Sequence, residues 1–144
     1  MRVDFYQLSR DLVERVVPLL AAKAVESGGR LLVVSADQAQ RAALSQALWE
    51  RENAFLAHGE ACEPPAKRQP IVVADTCSAA NRASIVLIAD GSWREEAAVF
   101  ERAILLFGSD QTAQARALWT ALGPAGHELR IFKQRDDGGW REGR

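Results

Sequence analysis

Apolar positions along the chain fall either into short continuous runs or into three-and-four spacings, and the two kinds alternate. Arg2 to Leu8, with Val3, Phe5 and Tyr6, reads as a first strand. Leu12, Val13, Val16, Leu20 and Ala24 then keep helical spacing, with Ser9 placed to cap the helix. Pro18 falls inside this pattern and is expected to kink or divide the helix, because it removes a backbone donor and crowds the preceding turn. Gly28-Gly29 closes the element. Arg30 to Ser35 is almost wholly apolar, the mark of a strand buried on both faces. Asp37 opens the next helix with Gln40 three residues on, a variant of the capping box. Ala43, Leu44, Ala47 and Leu48 form its inward stripe, with Trp49 at the edge.

The middle of the chain is less periodic. Asn53 to Gly59 holds at most a very short extended segment, and Glu60 to Gln69, with Pro64-Pro65, reads as a mobile loop. Pro70 to Ala74 is a strand with proline at its first position, where a missing donor does least harm. Ser78 to Ala83 is again a loop. Ser84 to Ala89 is the most apolar strand candidate and belongs at the centre of the sheet. Asp90-Gly91-Ser92 is a turn, Trp93 to Phe100 a short helix or irregular turn, and Arg102 to Phe107 a strand, with a helix over 97–106 as the alternative. Ser109 or Asp110 caps a last helix that Gly123-Pro124 ends, the glycine supplying a left-handed cap. Glu128 to Lys133 is the final strand, and Asp137-Gly138-Gly139 marks a turn before Trp140.

Strands and helices alternating at this spacing predict βαβ units and a mostly parallel sheet. The expected architecture is a three-layer α/β/α domain spanning residues 1–144, with about five to six strands and a Rossmann-like topology. Residues 134–144 are expected to be a polar tail.

Composition narrows the function classes. The chain has 144 residues, 48% hydrophobic and 26% charged, and a formal charge of -1, so no global basic field favours direct nucleic-acid binding. It has no apolar run of membrane-spanning length, and its start lacks the apolar core of a signal peptide. Cys62 and Cys77 have neither CxxC spacing nor clustered histidines, which fits reduced thiols in a cytoplasmic protein and no structural metal.

A parallel α/β sheet invites a nucleotide site, but the motifs are missing. The first strand-to-helix turn, Gln7 to Arg10, has no glycine to let a pyrophosphate approach. In the second, Asp37 would repel a phosphate. No GxxxxGK[ST] occurs. Asp90, Ser92 and His58 remain the elements of an alternative, a small nucleotide-binding or hydrolytic enzyme. His58 and His127 read as turn residues bonded to backbone, and no nucleophile elbow is present. The chain is therefore expected to be non-catalytic and to need no cofactor.

In the last helix Gln111, Ala115, Leu118 and Leu122 share the inward face. Thr112, Arg116, Trp119 and Thr120 lie on the adjoining flank. An arginine beside a partly exposed tryptophan suits a ligand that is both acidic and aromatic. A core-edge tryptophan beside a solvated arginine accounts for the same residues.

Segments in order along nearly the whole chain resemble the chi subunit family of bacterial DNA polymerase III. They are Val3-Asp4-Phe5-Tyr6, Pro18-Leu19-Leu20, Gly29 to Val33, Ala47-Leu48-Trp49, Phe55 to Gly59, Gln69-Pro70-Ile71, Ala115 to Trp119, Ala125 to Leu129 and Gly138-Gly139-Trp140. The resemblance implies a replisome-associated accessory subunit in the cytoplasm, without catalysis of its own. It also implies two partners: the acidic C-terminal tail of single-stranded DNA-binding protein, and the psi subunit that ties chi-like proteins to the clamp loader. That tail ends in aspartates, a proline and a phenylalanine with its free carboxylate. Arg116 and Trp119 match family positions in the tail pocket, Phe107 is an apolar wall, and Phe55 lies where the family contacts psi. Thr112 and Thr120 stand where relatives carry cations, so the pocket is expected to be less basic, with Lys133, Arg130 or Arg135 as substitutes. Ala57 replaces a frequent proline before His58.

Overall fold

The structure, a computed structural model, describes residues 1–9, 11–27, 29–49, 58–60, 71–77 and 83–143. Its strands are β1 (Arg2–Gln7), β2 (Leu31–Val34), β3 (His58–Glu60), β4 (Ile71–Ala74), β5 (Ile85–Ile88), β6 (Arg102–Phe107), β7 (Glu128–Gln134) and β8 (Trp140–Gly143). Three α-helices, α1 (Val13–Glu26), α2 (Gln38–Trp49) and α3 (Thr112–Leu122), and a short 3-10 segment at Glu95–Val99 connect them. The strands form one sheet in the order β3-β4-β2-β5-β6-β1-β7-β8. β1 to β7 all run parallel, and β8 alone is antiparallel, to β7.

Alternation along the strands builds two cores. Leu31 and Val33 of β2, with Tyr6, Leu87 and Leu106, pack against Val16, Val17, Leu20 and Ala21 of α1 and Leu44 and Leu48 of α2. Leu32 and Val34, with Phe5, Leu105 and Phe107, face Ala97, Phe100 and Ala115 on the opposite side. Continuous apolar runs in β2, β4 and β5 reflect this burial on both faces. The three-layer α/β/α arrangement and the central place of β5 are as expected.

The sheet is wider than the expected five to six strands. One added strand is the three-residue β3. The other is β8, formed by residues expected to be a polar tail: a hairpin edge pairs through backbone and needs no apolar alternation. Asn53 to Ala57 and the loop from Ala61 to Gln69 lie outside the described residues.

Local signals needed several corrections. Pro18 does not divide α1, which runs unbroken with the proline buried. Leu12 is 70% exposed rather than inward, and α1 has no side-chain cap. Ser9 instead donates its hydroxyl to the Gln134 carbonyl at 2.9 Å, while Gln134 Oε1 accepts from the amides of Ser9 and Asp11. At α2, Asp37 caps the Ala39 amide at 3.0 Å, but Gln40 turns away to Ser35 and to the Ala89 carbonyl. Ala43 is exposed, so the α2 stripe narrows to Leu44 and Leu48. Neither Ser109 nor Asp110 caps α3. A 3-10 turn at Ser109–Gln111 precedes it, and Gln111 reaches back to the Gly108 amide at 3.2 Å. Gly123 ends α3 in a right-handed conformation, and the left-handed residue is Gly126, with φ 86.

One polar group is buried beneath the sheet's N-terminal end. Asp4 on β1 is fully enclosed and accepts from Arg2 Nε at 2.9 Å and from Arg102 Nε and Nη2 at 2.7 and 2.6 Å. The two arginines remain about one-third exposed, so the charge is paired while its partners stay solvated.

Candidate functional site: a pocket between the last helix and the sheet

α3 links β6 to β7, and both of these strands flank β1. The crossover must therefore pass over β1, and Ala115 is the small buried residue on which it rests. The start of α3 is anchored from below. Gln111 Nε2 donates to the Asp90 carbonyl at 2.9 Å. A Cβ at Gly91, with φ +75, would collide with the Gln111 amide, so the turn and the helix start require glycine there.

Between α3 and the C-terminal ends of β6, β1 and β7 lies a cavity of about 460 Å³. Register places Phe107, Gln7 and Lys133 side by side on three adjacent strands, and Leu105, Phe5 and Ile131 one step behind them on the same face. Phe5, Gln7, Phe107, Ile131 and Lys133 line the cavity from the sheet, and Thr112, Arg116, Trp119 and Thr120 line it from α3. The Phe5 ring lies edge-on to Trp119 at 5.2 Å and to Phe107 at 6.4 Å. Trp119 is half-buried and presents an apolar surface to the cavity, whereas Phe107, only 2% exposed, is floor rather than wall.

All five residues of the expected pocket, Arg116, Trp119, Phe107, Thr112 and Thr120, thus line one cavity. Their roles differ. The Thr112 hydroxyl donates to the Ser109 carbonyl at 2.9 Å and that of Thr120 to the Arg116 carbonyl at 3.1 Å. Each spends its one proton on its own helix turn. The cations are Arg116 and, from the sheet, Lys133, and neither forms an ion pair with a described residue. Of the three substitutes considered for the missing cations, Lys133 is in place. Arg130 points to the other face and pairs with Glu128, and Arg135 pairs with Asp137. Phe5, Gln7 and Ile131 were not singled out from sequence; the signal was the parity of β1 and β7, usable once their pairing was known. Phe55 lies outside the described residues.

The alternative constellation does not assemble. Asp90 follows the C-terminal end of β5, whereas His58 starts β3, the edge strand three strands away, at the N-terminal end of the parallel strands. Asp90 is a brace. It accepts from the amides of Ala36 and Ser92 at 2.9 and 3.1 Å and binds Arg94 at 2.7 Å. Burial pushes its carboxyl up, but hydrogen bonds from Arg94 and the two amides, with the Arg94 charge, outweigh it and hold the group below its ordinary value. Burial raises the Cys77 thiol, which disfavours the thiolate. His127 precedes β7 at the end of the sheet opposite Cys77. Among the described residues no cluster of three His, Cys, Asp or Glu side chains could hold a metal ion, and no helix is long and apolar enough to cross a membrane.

No curated protein matches the chain. The family model described as DNA polymerase III chi subunit, HolC, matches residues 1–130, a span that holds both cores, Arg116 and Trp119. Lys133 and β8 lie beyond it. With nine-tenths of its length matched, the chain belongs to the DNA polymerase III chi subunit family.

Proposed function

We propose that this protein is a non-catalytic subunit that binds the acidic C-terminal tail of single-stranded DNA-binding protein in the α3 pocket. Through psi, where psi is present, it links that protein to the clamp loader during DNA replication. The observation that carries the reading is the pairing of an aromatic-floored cavity with one cation from the helix and one from the sheet. A peptide ending in an aromatic residue offers a ring for Phe5, Phe107 and Trp119 and a carboxylate for Arg116, which binds planar anions through two parallel N–H donors. Such recognition needs little preformed structure in the peptide.

The test is a titration of labelled tail peptide. Arg116→Ala should weaken binding by about 1.5–3 kcal/mol, the range for a charged hydrogen bond, and rising salt should weaken the wild type. Equal affinities of wild type and variant would remove Arg116 as the anchor. Absence of binding by the wild type would remove the function. Co-purification with clamp-loader subunits from a native extract checks the second linkage.

A further inference from the structure

β7, which lines the pocket through Ile131 and Lys133, pairs with β8 in a hairpin whose charges are sorted by face. Lys133 on β7 stands directly opposite Arg141 on β8 in the antiparallel register. Side chains so placed share one face, with Cβ atoms about 4.5–5.5 Å apart. That face is the one under α3, because the intervening Phe132 turns the other way and stacks on Tyr6 at 4.8 Å. The carboxylates of the two hairpin strands, Glu128 and Glu142, also turn the other way, where Arg130 meets them at 3.0 and 4.0 Å. Asp137 is drawn to Arg135 in the hairpin turn at 3.3 Å. Lys133 and Arg141 are both exposed, and neither forms an ion pair with a described residue. The aliphatic stem of Lys133 passes Gly143, where a Cβ would stand 3.8 Å from Lys133 Cε.

Like charges directly across a ladder destabilise the pair. A local conflict with no structural compensation is the kind that function retains, and an anion lying over both side chains would turn the repulsion into attraction. Lys133 already lines the cavity, so the two positions continue it outward: Arg116 on the helix, Lys133 across the gap, Arg141 one strand further toward the sheet edge.

We propose that Lys133 and Arg141 form a cationic track that takes up the acidic segment preceding the terminal aromatic residue and leads it out of the pocket across β7 and β8. The proposal rests on the tail-binding reading above and deepens it by assigning a path and a direction to the peptide. An extended peptide rises about 3.3 Å per residue, so one strand spacing of about 4.8 Å places the acids that meet Lys133 and Arg141 within about two to four residues of the aromatic end. Arg116 then keeps the terminal carboxylate.

The experiment compares two labelled peptides with the same aromatic, free-carboxylate end, one with aspartates upstream and one with asparagines in their place. They are titrated against wild type, Lys133→Gln, Arg141→Gln and the double variant. Each single variant should weaken the aspartate peptide about two- to fivefold, the range for exposed ion pairs, and weaken the asparagine peptide less, with Arg141→Gln leaving it unchanged. The double variant should show a shallower salt dependence, with a thermal midpoint equal to or above that of the wild type because a like-charge pair is gone. Unchanged affinity of the double variant for the aspartate peptide would overturn the track and leave the pocket reading standing. So would an equal loss on both peptides accompanied by a lower midpoint. A wild type that binds neither peptide removes the pocket reading, and the track with it.

Discussion

Trp119 has two roles to separate, a core edge and a ligand wall, and truncation separates them. Its ring packs edge-on against Phe5 at 5.2 Å and joins the core under α3, yet it also lines the cavity. A tryptophan buries about 150–250 Å² when fully enclosed. Half of that, at about 25 cal/mol per Å², amounts to about 2–3 kcal/mol. Trp119→Ala should therefore lower the thermal midpoint by roughly 6–12 °C in a domain of this size. If the ring is also a wall for the peptide's aromatic end, the same change removes a hot-spot contact of at least about 2 kcal/mol, or roughly 30-fold in affinity. Leu118 is the control. It is likewise half-buried and packs on the same core, but borders the shallow groove near Trp93 on the other side of the helix. Leu118→Ala should destabilise by a similar order and leave peptide affinity within about twofold. Thermal unfolding gives the first quantity, and peptide anisotropy well below every variant's midpoint gives the second. Wild-type affinity in Trp119→Ala would refute the wall, and an equal loss in Leu118→Ala would show that peptide binding follows helix stability alone.

Two further expectations concern the scaffold that holds the site. Asp4→Asn keeps the shape of the buried carboxylate but removes the charge that holds Arg2 and Arg102. A loss of about 2–4 kcal/mol is expected in urea unfolding, limited because both arginines reach water; a loss below about 1 kcal/mol would show that the network contributes nothing net. Asp90 should dominate a different limb. Its folded carboxyl lies below the ordinary value of 3.8, so its stabilisation is complete above about pH 4 and is lost as pH falls through the folded value. The stability gap between wild type and Asp90→Asn, measured from about pH 7 downward, should close below about pH 4. A gap that stays constant into that acid range contradicts the brace.

What the chain discloses in one dimension is set by how far each feature depends on distant partners. β2, β4 and β5 are legible because burial on both faces leaves four apolar residues in a row, whatever their neighbours. Caps are less legible, because several residues compete for the same amides. Ser9 serves Gln134 from 125 positions away, and Gln111 outreaches Ser109 at α3. β8 was hidden because an edge strand needs only a partner for its backbone. Leu12 misled because helical spacing does not say where the helix begins. The site divides the same way. Its helix wall, Thr112, Arg116, Trp119 and Thr120, falls on one flank of a single periodic segment and was visible. Its floor is assembled from β6, β1 and β7, far apart in the chain, and only their pairing puts Phe107, Gln7 and Lys133, and Phe5 and Ile131, side by side.

That division also explains how the pocket keeps two cations although the helix offers one. Threonines at 112 and 120 leave Arg116 alone on α3, and both hydroxyls are spent on helix carbonyls. The sheet supplies the second charge from Lys133, across the cavity rather than along the helix. Two cations one turn apart on a helix draw an anion to that surface without fixing which side of the groove the chain follows. On the proposed reading, one cation from the helix and one from the sheet place it between them, and Arg141 on the outer strand gives the chain a direction. Gln134, next to Lys133, is buried and bound through its side chain to Ser9 and Asp11, so the end of β7 is pinned to the segment that follows β1. A cation carried by so constrained a strand end loses less freedom on binding than one on a free tail, so on the proposed reading the position of the charges, more than their number, decides how the pocket holds an acidic chain.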